Sequence, residues 1–226
     1  MLKNCPLFAD IAEDQLAQLL VCLSAKRQTY QKDAFIFRVQ EPAVHVGIVL
    51  SGGANVIQED FWGSRAILTH AAPGELFGEA FACAGEGAKR LPVSVIAAEA
   101  SEILLVDYRK IVTVCSSACG FHARLISNML QILAEKNIML TRKMEYLSKR
   151  SLRAKLLAYL SSQAVRAGKN TVEIPFDRQE LADYLGAERS ALSRELGSMK
   201  RDGLLDYKKN KFTLFSLDKS EEMEYN

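Results

Sequence analysis

Residues 177–203 read DRQELADYLGAERSALSRELGSMKRDG, and this stretch decides the fold. Asp177 is a good N-cap, and Glu180 three residues later completes a capping-box pattern. Leu181, Ala182 and Leu185 then form one apolar face, and Gly186 supplies a tight turn. A second helix is predicted from about Glu188 to Lys200, with Leu192, Leu196 and Met199 at i, i+4 and i+7 buried on its inner side. Arg189, Ser190, Ser193 and Arg194 are left on one outward polar face. A short helix carrying two arginines and two hydroxyls is of a size to enter a DNA major groove. A helical hairpin with a merely solvated charged face would show the same charges. The agreement of cap, small residue, turn and apolar spacing favours a helix-turn-helix.

Downstream, LLDYKKNKFTLF (204–215) is two short β-type runs around a Lys-Lys-Asn-Lys turn, the pattern of a basic wing. Upstream, SLRAKLLAYLSSQA (151–164) reads as an amphipathic helix and AGKNTVEIPF (167–176) as a loop and strand. The charge distribution agrees. Residues 149–217 hold 14 basic and 8 acidic side chains, against 14 and 15 in residues 1–148. Positive charge is thus concentrated where phosphates would be met. The tail 218–226, DKSEEMEYN, is acidic.

Before residue 149 the pattern changes twice. Between 121 and 147 there is neither Pro nor Gly, and Phe121, Leu125, Met129, Ile132, Met139, Leu140, Met144 and Leu147 form an apolar stripe. The expectation is one helix of about 27 residues, roughly 40 Å long, whose stripe meets a second copy of itself in a parallel dimer seam. The alternative is a helix laid across its own domain. Leu147 to Ser151 breaks the stripe and reads as a hinge at Lys149–Ser151. Before that helix, AFIF (34–37), VHVGIVL (44–50), ANVIQ (54–58), RAILTH (65–70), VSVIAA (93–98) and EILLVD (102–107) read as short strands. Gly and Pro turns between them predict a small antiparallel barrel or roll. An amphipathic helix is predicted within Leu7–Leu23, with Cys22 packed as a small hydrophobe, and a short helix at Tyr108–Cys119.

The expected fold class is therefore α+β. An antiparallel β-roll (1–119) comes first, then a long dimerisation helix and hinge (120–148), a winged helix-turn-helix (149–217) and the acidic tail (218–226). A chain of 226 residues with 49% apolar and 25% charged side chains has material for a core. No apolar run reaches the length of a membrane span, and MLKNCPLFADI has no long apolar segment of a secretory leader. Five sparse cysteines fit a reducing cytoplasm better than a disulfide framework. No nucleophile–base pair, phosphate-binding glycine loop or carboxylate pair speaks for an enzyme.

Roll, long helix and winged helix-turn-helix in this order resemble the CRP/FNR family of bacterial transcription regulators. The resemblance rests on PGELFGE (73–79), AEASEILLVD (98–107) and FDRQELADYLGAERSALSREL (176–196), and its roll is similar to a cyclic-nucleotide-binding domain. It implies a homodimer joined through the 120–147 helix, a palindromic operator in double-stranded DNA, RNA polymerase as a partner, and an effector bound in the roll. It implies DNA contacts at Arg178, Arg189, Ser190, Ser193 and Arg194, with Lys208, Lys209 and Lys211 on backbone phosphates. Effector contacts are implied at Gly78, Glu79, Arg90, Ser94, Leu140 and Thr141, the effector itself an unknown small molecule. Its binding would bias the packing near Leu140–Leu147 and reorient the heads about Lys149–Ser151.

Glu79 matches the glutamate that holds the ribose in cyclic-nucleotide binders, but Leu91-Pro92 stand where the resemblance calls for Arg followed by Ser or Thr. Arg90 lies one residue away with no hydroxyl after it, so cyclic AMP is not supported. An iron–sulfur cluster needs about four thiolates, and Cys5 and Cys22 stand alone. His45 and His70 fall on strand patterns and read as core-edge residues, not haem ligands. One alternative keeps the fold and changes the signal. Cys115, Cys119 and His122, at i, i+4 and i+7 on a helix, share a face that would suit a metal or an oxidant-sensing thiol pair.

Overall fold

The computed structural model describes residue 2 and residues 5–84, 90–112 and 121–215. The chain divides into two compact units, Met1–Met139 and Leu140–Asn226.

In the first unit a 3-10 turn at Pro6–Phe8 precedes α1 (Glu13–Cys22). Then follow β1 (Lys26–Tyr30), β2 (Phe35–Phe37), β3 (His45–Ser51), β4 (Ala54–Glu59), β5 (Arg65–Ala71) and β6 (Leu76–Phe77). After them come α2 (Glu79–Cys83), β7 (Ser94–Ala97), β8 (Ser101–Asp107), α3 (Tyr108–Val112) and α4 (Phe121–Leu147). The strands form two four-stranded sheets, in the orders β1-β8-β3-β6 and β2-β7-β4-β5. Every pairing within them is antiparallel.

The central strands explain why their sequences look uniformly apolar. β3 is buried along its middle on both faces, as strands covered on both sides are. Val46, Ile48 and Leu50 of β3 and Leu104 and Val106 of β8 pack outward on Leu7, Leu19, Leu23, Leu125 and Met129. Val49 and Ile103 turn the other way and meet Val56, Phe77, Val93 and Val95 between the sheets. The two side-chain directions of one strand thus feed two cores.

Several expectations are corrected in this unit. Cys22 is exposed, whereas Cys5 is buried; Cys22 closes α1 on its water side. The helix predicted within Leu7–Leu23, on AEDQLAQLLVCL, does form, as Glu13–Cys22 after the 3-10 turn at Pro6–Phe8. β1, KRQTY, was invisible as a strand because it is a mostly exposed edge strand with no apolar alternation. Its register, from Lys26↔Leu105 to Tyr30↔Ser101, is supplied by β8.

α4 changes most. It spans the residues expected, but Leu125, Met129 and Ile132 are buried in the unit's own core. The outer face of the β3–β8 sheet needs covering, and the first turns of α4 cover it. That half of the stripe is therefore spent within the chain. The exposed apolar residues of α4 are Leu130, Ile138, Met139, Leu140 and Met144.

The second unit contains the end of α4, then α5 (Leu152–Ala167), β9 (Thr171–Glu173), α6 (Arg178–Leu185), α7 (Arg189–Arg201), β10 (Leu205–Lys208) and β11 (Lys211–Leu214). Ser151 Oγ caps α5 by accepting from the Ala154 amide at 3.2 Å, and Gly168 ends it in the left-handed region. The sheet order is β10-β11-β9, antiparallel throughout. The expected hinge at Lys149–Ser151 lies inside this unit, because Lys143 and Tyr146 are already packed there on α6 and α5.

Candidate nucleic-acid interface

α6 starts where its cap dictates. Asp177 Oδ1 accepts from the amides of Gln179 (2.8 Å) and Glu180 (2.9 Å), and Glu180 returns the bond to the Asp177 amide at 2.8 Å. Gly186, at φ 61°, ends the helix in a conformation that costs a β-carbon. Leu181, Ala182 and Leu185 of α6 and Leu192, Leu196 and Met199 of α7 are all buried. With that stripe turned inward, Arg189, Ser190, Ser193 and Arg194 are all exposed. The first two stand at the amino end of α7, where the helix dipole is positive.

The wing forms as β10 and β11, in register from Leu205↔Leu214 to Lys208↔Lys211. Lys208, Lys209 and Lys211 are exposed at its tip. Lys209 takes φ 55°, an unusual conformation for a residue with a side chain. Asn210 explains how the tip is held: its amide nitrogen donates to the Ile174 carbonyl at 3.0 Å, and its own carbonyl accepts from Ile174 at 3.0 Å. Sequence reading passed over Asn210, although Asn in a Lys-rich turn is itself a turn signal.

Arg178 behaves differently from the other expected DNA contacts. Its guanidinium carbon lies 4.7 Å from the Tyr207 ring centre and 5.1 Å from that of Phe212, both on the wing. It is half-buried and joins the start of α6 to the wing through cation–π contact. Two further ties were not foreseen. Arg153 of α5 donates to Glu195 at 2.7 Å and to Ser198 at 3.0 Å, and pairs with Asp202 at 2.6 Å, fastening α7 along its length. Tyr184 of α6 packs on Tyr159 and Phe176, with ring centres 5.3 and 4.7 Å away. Its hydroxyl is 3.2 Å from that of Tyr146. Such ties escape sequence reading because an Arg in one helix and a Tyr in another both look like ordinary surface residues.

The expected effector residues each have their own surroundings. Gly78 caps α2 at φ 81°, and a β-carbon there would meet Phe37 at 3.1 Å. Glu79 is buried and pairs with Lys136 at 2.8 Å. Arg90 is exposed and donates to the Gln40 carbonyl at 2.7 Å. Ser94 is buried and accepts from the Val39 amide at 3.0 Å. A hollow of roughly 400 Å³ nearby is lined by Phe37, Glu41, Pro42, Val44, His45 and Leu91, and by none of these four. Leu140 and Thr141 belong to the other unit and are exposed. Leu91 and Val93 sit in the core between the sheets with Phe37 and Phe77.

Cys115 and Cys119 lie outside the described residues, as does the tail 218–226. His122 is buried, and its Nδ1 has no hydrogen-bond partner. Among the described residues no group of three His, Cys, Asp or Glu side chains is placed to hold a metal. His70 bonds Asn55 through Nδ1 at 2.7 Å, and burial lowers its pKa. Among the described residues no helix is long and apolar enough to cross a membrane.

Comparison with known proteins places these observations. Residues 27–118 match the model of the cyclic nucleotide-binding domain, and residues 154–219 that of the Crp-like helix-turn-helix domain. Together the two take in more than two thirds of the chain. Over 101 residues the chain is 34% identical to "Probable transcriptional regulator flp" of Lacticaseibacillus casei. That match covers 42% of this chain and 46% of the relative, so it spans about half the relative's length. The fold is similar to that of FixK2 from Bradyrhizobium japonicum, with a TM-score of 0.68, 22% identity, and 85% of this chain and 93% of that one covered. It is also similar to the c-di-GMP responsive global regulator CLP of Xanthomonas campestris, with a TM-score of 0.70, 21% identity, and 88% and 99% covered. The Lacticaseibacillus relative is named as a probable transcriptional regulator, and CLP as a responsive global regulator.

Proposed function

We propose that this chain, which belongs to the CRP/FNR family of transcription regulators, reads double-stranded DNA with α7. The observation that carries the reading is the outward face of that helix. Arg189, Ser190, Ser193 and Arg194 are exposed together while Leu192, Leu196 and Met199 are buried behind them. The arginines suit guanine edges in the major groove. Lys208, Lys209 and Lys211 suit phosphates, which position a protein without reading sequence. Arg178 acts through the wing, by holding Tyr207 and Phe212 in place.

The protein acts as a homodimer in the cytoplasm, on a palindromic operator with half-sites about one helical turn apart. The exposed apolar residues of α4, Leu130, Ile138, Met139, Leu140 and Met144, support a partner helix, and three of them (Met139, Leu140 and Met144) belong to the stripe expected from the sequence. RNA polymerase is the downstream partner. The signal, a small-molecule effector in the first instance, is received by the roll.

A second reading of the signal has one observation in its favour, the buried and unbonded Nδ1 of His122. In that reading Cys115, Cys119 and His122 hold a metal or form an oxidant sensor. Metal analysis of the purified protein, with Cys115→Ser and Cys119→Ser, separates the two.

The DNA reading is tested by selecting operators from a random duplex pool and measuring affinity against salt. Enrichment of a palindrome, with log Kd rising steeply as log salt rises, is expected. A pool returned without enrichment, or affinity indifferent to salt, rejects it.

A further inference from the structure

Glu79 opens α2 and is 3% exposed. Its Oε1 accepts from Lys136 Nζ at 2.8 Å, while its Oε2 is buried with no hydrogen-bond partner. The same ammonium donates to the Leu76 carbonyl at the start of β6. A carboxylate at this depth needs a counter-charge, and here α4 delivers it from 57 positions along the chain.

The position of Lys136 on its helix is informative. Leu125, Met129 and Ile132 are the residues of α4 buried in the core of the roll, and Lys136 is the next step of the same i, i+4, i+7, i+11 face. A charge therefore continues an apolar stripe at a core-facing position. An apolar stripe alone tolerates slippage, since one greasy contact replaces another. One buried charge with a single partner does not, and fixing register is the best-attested use of such pairs. Asn128 adds a second polar tie to α4, donating to the carbonyls of Leu7 and Ala9 at 3.0 Å each. That tie engages the N-terminal segment, whereas Lys136 engages the corner between β6 and α2. Beyond Lys136 the remaining residues of this unit, 137–139, are exposed.

We propose that the Lys136–Glu79 pair is a latch that sets one register of α4 on the roll with no small molecule bound, and that operator binding depends on it. The inference rests on the DNA-reading function above. Its physical content is that a dimer must present two reading helices at one spacing to use an operator of fixed half-site separation. A long helix free to seat in more than one register presents several spacings.

The test uses the full chain, shown by native mass spectrometry to carry no small molecule, on duplexes in which the half-site separation is varied. The variants are Lys136→Met, Lys136→Arg, Glu79→Gln and the double variant Lys136→Met/Glu79→Gln, each checked for fold by circular dichroism. Wild type is expected to bind with one preferred separation. Lys136→Met is expected to lose about tenfold or more in affinity for that duplex and to discriminate less among separations. Lys136→Arg retains both properties, and the double variant is no weaker than Lys136→Met alone. A folded Lys136→Met protein with unchanged affinity and unchanged spacing preference overturns the latch. So does a wild-type protein that binds DNA only after a small molecule is supplied. A wild type that binds no duplex under any condition overturns the DNA reading itself, and the latch with it.

Discussion

The ammonium of Lys143 lies 3.7 Å from the centre of the Tyr184 ring. One is near the end of the long helix, the other on the first helix of the reading pair, and Tyr146 and Tyr159 complete the cluster. Burial lowers the Lys143 pKa from 10.5 to about 8. Between those values the unfolded chain carries the extra proton, so the stability of the second unit rises with pH across that window. The slope from this one group approaches ~1.4 kcal/mol per pH unit. Burial raises the pKa values of Tyr159 and Tyr184 above 10.0, and these act in the opposite sense only at higher pH. Chemical unfolding followed by near-ultraviolet tyrosine dichroism should show wild type gaining stability from pH 8 to 10 and Lys143→Met showing no such gain.

Arg178 separates a structural role from a contact role. Removing its guanidinium from Tyr207 and Phe212 should cost about 0.5–1 kcal/mol of stability and loosen the wing. Arg178→Ala should therefore weaken binding to specific and random duplexes together, with amide exchange at Tyr207–Phe212 accelerated. Unchanged exchange in a variant that still binds more weakly would make Arg178 a direct DNA contact after all.

Arg189 and Arg194 should behave differently from the wing lysines. Arg189→Ala or Arg194→Ala should cost roughly 1–3 kcal/mol on the selected operator and little on random DNA. Lys208→Ala, Lys209→Ala and Lys211→Ala should each reduce binding on all sequences and lower the salt slope by about 1. Anisotropy titrations at several salt concentrations distinguish the two patterns directly.

Gly47 reports on how full the roll is. An ideal β-carbon there would lie 2.1 Å from Phe77 Cζ, and Phe77 is 1% exposed. Gly47→Ala should cost about 1–3 kcal/mol by overpacking, and Phe77→Leu in the same protein should recover part of it. Urea unfolding of the two variants measures the difference. A neutral Gly47→Ala would mean that the space between the sheets yields readily, as an effector cavity would.

The parts legible beforehand are those whose signals are local. The capping box at Asp177 and Glu180, the glycine turn at 186 and the i, i+4, i+7 stripe of α7 are each contained within a few residues. Their hydrogen bonds join atoms that the backbone already brings close. The wing was legible for the same reason, as two β-type runs flanking a turn. β1 was not, because an edge strand of Lys, Arg, Gln and Thr carries no apolar pattern and takes its conformation from β8. Cys22 was misplaced because an apolar run around α1 left its water-facing side ambiguous.

By itself, then, the sequence determined the helix-turn-helix, the wing, the long helix and which side of α7 faces solvent, since these follow from periodicity and capping. Only the tertiary structure decided partners distant in the chain. Glu79 finds Lys136, Arg153 finds Glu195, and Lys143 finds Tyr184. A lysine on an amphipathic helix reads as a solvated charge until a neighbouring element removes the water around it. It was likewise the apolar outer face of the β3–β8 sheet that claimed the first half of α4. The apolar stripe is written in the sequence, but which surface buries it is settled only when every other surface is in place.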